Sequence, residues 1–172
     1  MKKRFNVLVT RRLHRSALDE LERKCNVHLH SGKIPIPKKT LMNEIRDMDG
    51  LVCHPYDTID KQVINNAKNL KVISTFSVGF DHIDIKVAKS QKIKIGYTPE
   101  VLTNATAELT IGLILDVLRR ISEGDRIIRG KKWKQIFGAY DYTGTEVSGK
   151  TIGIIGMGRI GREVAKKANG LG

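Results

Sequence analysis

The stretch TIGIIGMGRIGREVAKKAN, residues 151–169, sets the reading of this chain. An apolar, β-rich run leads into Gly156-Met157-Gly158-Arg159-Ile160-Gly161, and an amphipathic helical run follows. A G-x-G-x-x-G turn between a strand and a helix fits a dinucleotide pyrophosphate. Gly156 is expected to allow the tight turn, Gly158 to let the phosphates approach the backbone, and Gly161 to let the helix pack closely. The first amides of the helix and the positive end of its dipole would hold the negative charge. Flanked in this way, the motif reads as a cofactor turn rather than a plain connection. The acidic residue that would grip the cofactor ribose is expected about 20 residues further on. The chain stops at Gly172, so the sequence does not choose between NAD and NADP. The simplest reading is a piece of a longer protein.

Upstream, β-rich runs alternate with amphipathic ones. Strands are expected at 5–10, 26–30, 50–54, 70–76 and 92–97, and helices near 14–24, 38–47, 57–69 and 84–91. Asp57 or Thr58 would cap the third helix, and Asp81 the fourth. This alternation, with short loops, predicts βαβ units and a parallel sheet, an α/β fold. Tyr97-Thr98-Pro99 interrupts it. A long helix over about 102–121 follows, apolar on nearly every side and so expected to be buried between layers. A basic helix near 122–132, a polar loop over 134–150 and the strand TIGII complete the chain. The division is therefore expected at residues 1–98 and 99–172.

Composition narrows the class. Of 172 residues, 40% are hydrophobic and 28% charged, which suits a globular chain with a real core. No apolar run is long enough to cross a bilayer, and the N-terminus lacks a cleavable leader, so a cytoplasmic location is expected. Cys25 and Cys53 have no metal-ligand spacing and read as reduced, partly buried thiols. The net charge of +13 favours anionic partners. The lysines are scattered and aromatics are only 5%, so a nucleic-acid surface is not expected.

Two longer stretches, STFSVGFDHIDIKVAKSQKIKIGYTPEVLTNATAELTIGLILDVLRR (74–120) and GKKWKQIFGAYDYTGTEVSGKTIGIIGMGRIG (130–161), resemble the D-isomer-specific 2-hydroxyacid dehydrogenases, most closely the glyoxylate/hydroxypyruvate reductases among them. The resemblance covers nearly the whole chain. It implies a flavodoxin-like parallel-sheet substrate domain over 1–98, and the truncated start of a Rossmann coenzyme domain over 99–172. It implies NAD or NADP as cofactor, a small 2-oxo or 2-hydroxy acid as substrate, and a homodimer joined through the 102–133 region in the full-length protein. In Ser77-Val78-Gly79-Phe80-Asp81 it places a turn whose amides, those of Val78 and Gly79, take the substrate carboxylate. Thr106, Gly156, Gly158, Arg159, Ile160 and Gly161 match cofactor contacts, and His54 lies where the substrate side chain would sit. The family's arginine, histidine and carboxylate, which orient the substrate and exchange the proton, match nothing in these residues. The chain alone is therefore expected to be inactive.

Other readings share the motifs. A D-3-phosphoglycerate dehydrogenase would suit the basic charge, and so would a non-catalytic NAD-binding corepressor with an acidic partner. His14, His28, His30 and His82 read as structural, and Glu108 as a structural hydrogen bond or a partner of an arginine.

Overall fold

The structure, a computed structural model, describes residues 4–133 and 138–172. It divides into two compact units, residues 1–99 and 100–172. Of the loop expected over 134–150, residues 134–137 lie outside the described residues.

The first unit carries five strands: β1 (Asn6–Val9), β2 (Asn26–Leu29), β3 (Gly50–Cys53), β4 (Val72–Thr75) and β5 (Lys94–Gly96). All pair in parallel, in the order β2-β1-β3-β4-β5. That is the flavodoxin-like order, so the α/β fold expected from the alternation is the one observed. Helices α1 (Arg15–Lys24), α2 (Lys38–Glu44), α3 (Lys61–Asn66) and α4 (Ile85–Ser90) connect the strands. Strand residues alternate between two faces. Val7 and Val9 pack on Leu18 of α1, whereas Leu8, Leu51, Cys53 and Ile73 join the larger core with Leu41, Val63, Ile64 and Ala88.

Two helix caps differ from expectation. Asp60, not Asp57 or Thr58, caps α3, accepting from the amides of Gln62 and Val63. Asp57 is instead drawn into the interior, 3% exposed, where it accepts from the Thr10 hydroxyl at 2.5 Å and the His54 amide at 2.8 Å. Asp84, not Asp81, caps α4 through the Val87 amide. In both cases a second aspartate three residues along stands nearer the first free amides of the helix.

The second unit contains α5 (Thr103–Arg119), α6 (Ile121–Arg129) and α7 (Arg159–Asn169). Arg120 adopts a left-handed conformation, φ 56°, and separates α5 from α6. Its guanidinium meets the Glu123 carboxylate through two hydrogen bonds of 2.6 and 2.7 Å. The expected strand TIGII is not formed. Residues 151–155 pair with no strand, and Ile155 is fully exposed. A strand exists only through a partner, and the second unit offers no other strand among the described residues. The expected burial of α5 also fails: Ala107 is buried, but Leu109, Leu113 and Val117 are 63%, 55% and 73% exposed. Glu108 pairs with Lys167 of α7, not with an arginine. No described helix is long and apolar enough to cross a membrane.

Candidate functional site

Ligands of open parallel sheets gather at the C-terminal ends of the strands. In the first unit, β3 ends beside His54 and β4 runs into the turn Ser77–Asp81. Three carbonyls of this turn are occupied. Ser77 O accepts from the Thr98 amide at 2.9 Å, Gly79 O from the Ser77 hydroxyl at 2.6 Å, and Phe80 O from the Ile83 amide at 3.0 Å. The amides of Val78 and Gly79 find no acceptor among the described residues. Successive free amides beside an occupied Gly79 carbonyl present positive charge and suit an anion. Gly79 does not take its place through backbone strain, since its φ is not in the left-handed region. A Cβ there would make an ordinary contact with the Asp81 carboxylate, at 3.4 Å. The Phe80 ring stands edge-on to Tyr97, centroids 5.2 Å apart, and steadies the turn on β5.

His54 shares this end of the sheet. Its ring lies 5.5 Å from Phe76, and its Nδ1 is buried without a hydrogen-bond partner among the described residues. Burial pushes its pKa below the ordinary 6.5, with the Arg11 charge adding to the effect. Burial likewise lowers His82. Both rings are therefore neutral at neutral pH, poised to exchange hydrogen bonds rather than charge. His82 Nε2 stands 3.0 Å from Thr75 Oγ1, and that hydroxyl 2.7 Å from Ser77 Oγ. Thr75 was not among the residues expected at this end of the sheet, and Asp57 was expected there only as a helix cap. The signal for Thr75 was present, because Thr75 and Ser77 are two residues apart at a strand end and so share a face.

The second unit holds the glycine turn. Gly156 has φ +94°, a conformation that favours glycine. Gly158 precedes α7 with nothing within 4 Å of a would-be Cβ. At Gly161 a Cβ would overlap the Gly156 carbonyl, so the turn closes only without one. No side chain caps α7, which leaves the amides of Arg159, Ile160 and Gly161 free to meet an anion. Arg159 reaches Glu100 at 3.0 Å, and Arg162 donates to Met157 O at 3.3 Å. Thr106 lies half-buried near the start of α5, its carbonyl accepting from the Thr110 hydroxyl at 2.8 Å. Its helix packs against α7. The structure thus groups His54 with Val78 and Gly79 in one unit, and Thr106 with the glycine turn in the other. Among the described residues no cluster of His, Cys, Asp and Glu could hold a metal ion.

With both sites laid out, comparison with known proteins decides the family. Residues 7–169 match the model of the D-isomer specific 2-hydroxyacid dehydrogenase catalytic domain. The chain belongs to this family. It is 49% identical over 165 residues to a glyoxylate reductase of Thermofilum pendens, covering 95% of this chain and 49% of that protein. In structure it is similar to the TT0316 protein of Thermus thermophilus, with a TM-score of 0.87, 43% identity, and coverage of 96% and 53%. The D-lactate dehydrogenase of Aquifex aeolicus complexed with NAD and lactic acid shares the fold at a TM-score of 0.79 and 22% identity, over 96% of this chain and 48% of that one. The chain spans about half the length of the relatives it matches. Family dehydrogenases are oxidoreductases, and the expected membership is the one found.

Proposed function

We propose that residues 1–98 form the substrate domain, and residues 99–172 the beginning of the coenzyme domain, of an NAD- or NADP-dependent oxidoreductase. Its reaction interconverts 2-oxo acids and D-2-hydroxy acids, with glyoxylate or hydroxypyruvate as the 2-oxo acid. The observation that carries this reading is the turn at Val78–Gly79, where the Gly79 carbonyl is taken by the Ser77 hydroxyl and the amides of Val78 and Gly79 are free. Such a turn grips a carboxylate and leaves the adjacent carbonyl carbon facing outward. His54, at the neighbouring strand end, would stand beside the substituent on that carbon.

The glycine turn and the uncapped start of α7 would take the cofactor pyrophosphate, with Thr106 on the adjoining helix. The nicotinamide, when bound, supplies or accepts the hydride. This chain's own contribution is binding and orientation. Proton exchange needs a further group. His30 pairs with Glu44 at 3.0 Å, but its other ring nitrogen meets Lys33 O, so no nitrogen remains for substrate. On this reading the family's arginine and histidine lie in a part of the protein other than these residues. A cytoplasmic protein is inferred, and a homodimer at full length, supported by the exposed Leu109, Leu113 and Val117 of α5.

The glycine turn gives a direct test by titrating NADH into this chain and following cofactor fluorescence. Gly158→Ala meets no neighbour, so the urea midpoint should hold while NADH affinity falls at least about tenfold through steric blocking of the amides. Gly156→Ala should instead lower stability by about 1–3 kcal/mol, because the new side chain is strained at positive φ. Unchanged NADH affinity in Gly158→Ala would remove the support for the cofactor turn.

A further inference from the structure

The hydroxyls beneath the Ser77–Asp81 turn form a chain whose direction can be read. A serine or threonine hydroxyl has one proton to give. Ser77 gives its proton to Gly79 O. Toward Thr75, at 2.7 Å, Ser77 Oγ must therefore accept, and the Thr75 proton is used there. Toward His82, at 3.0 Å, Thr75 Oγ1 must then accept in turn. The proton of that bond belongs to His82 Nε2.

We infer that His82 is a positioning residue, which as the Nε2–H tautomer drives a one-way chain, His82 to Thr75 to Ser77 to Gly79 O, that holds the Val78 and Gly79 amides open for a substrate carboxylate. This rests on the carboxylate-grip reading proposed above. His82 is itself fixed at its backbone. Its carbonyl accepts from the Ile59 amide at 2.9 Å, and the Asp84 amide donates to Ile59 O at 2.9 Å. The main chain at His82 is thus anchored to the segment before α3, while the ring Nε2 reaches Thr75 at the end of β4. Thr75 is 1% exposed, so water does not compete for the central link. The last link turns the Gly79 carbonyl inward. Without it that carbonyl is free to rotate outward and present negative charge where the carboxylate would bind. His82 touches no substrate in this arrangement; it acts through two hydroxyls and a peptide group.

The test has a ligand-free arm and a ligand arm, both by NMR on this chain. Long-range nitrogen–proton correlation of the His82 ring should show the proton on Nε2. Glyoxylate should shift the Val78 and Gly79 amides of the wild-type chain. Thr75→Val keeps the shape and removes the hydroxyl, and His82→Leu removes the donor. Each should weaken glyoxylate binding about tenfold, the loss of one ordered hydrogen bond. His82→Gln, whose amide nitrogen can stand in for Nε2, should recover most of the affinity. That rescue separates positioning from packing, because leucine and glutamine fill similar space.

A ring proton on Nδ1 would overturn the chain. Wild-type amide shifts that persist unchanged in folded Thr75→Val and His82→Leu would overturn the role of His82 and leave the grip standing. Wild-type amides that ignore glyoxylate, with the Nε2–H tautomer present, would overturn the grip, and with it the purpose assigned to His82.

Discussion

Asp57 illustrates how much one side chain can decide in this chain. Its carboxylate ties the end of β1, through Thr10, to the loop that carries His54, and so sets the histidine against Phe76. The sequence points to Asp57 or Thr58 as the cap of α3, and Asp60 takes that place. Burial chose, since a carboxylate in the interior must find donors, and two stood within reach. His54 and His82 carry a consequence for stability. Burial holds both below the ordinary 6.5, so the unfolded chain takes up their protons first as the pH falls. Their contribution is fully present above 6.5 and is lost progressively below it. Asp60, held low chiefly by its hydrogen bond with Lys38, adds a separate loss only below its ordinary 3.8. Urea midpoints should therefore fall between about pH 7 and pH 5, and the fall should shrink in the double variant His54→Gln/His82→Gln. An equal fall in that variant would assign the effect elsewhere.

At the scale of elements, the strands and helices of the first unit were legible because short apolar runs alternate with amphipathic stretches. Sheet order was legible only through the family resemblance, since pairing depends on which faces meet and not on local pattern. The glycine turn was legible in full, because its geometry depends on residues lacking side chains. TIGII and α5 were misread for one shared reason. Both are apolar, and apolar pattern reports that a segment is suited to burial without saying what covers it. Leu109, Leu113 and Val117 recur at four-residue spacing along α5, so they form one exposed apolar stripe. A homodimer through this stripe predicts that Leu113→Glu converts the full-length protein to monomer in analytical ultracentrifugation, with the glycine turn unaffected. A dimer that survives the charge would place the contact on another surface.

The whole molecule carries its core unequally. In the first unit Leu8, Leu51, Ile64 and Ile73 are all at most 1% exposed, and the larger core joins three helices to the sheet. In the second unit the buried apolar residues among those described are Ala107 and Val164. Buried apolar area sets local stability, so the first unit should be the more protected. Hydrogen exchange should find the slowest amides in β1, β3 and β4, and faster exchange along α5 and α7. The reverse order would show that the cores are misassigned. Cys53 fits the same picture: burial drives its thiol up to about 12, so it stays protonated and inert within the first core.

The most direct measurement is the oxidation of NADH and NADPH by the protein expressed from its own gene, with glyoxylate and hydroxypyruvate as substrates, in wild type and in the Gly158→Ala variant. Turnover with a 2-oxo acid, sharply reduced in the variant through a raised cofactor KM, is the predicted result. Absence of turnover with either cofactor and either substrate, in protein of confirmed intact mass, would contradict the account.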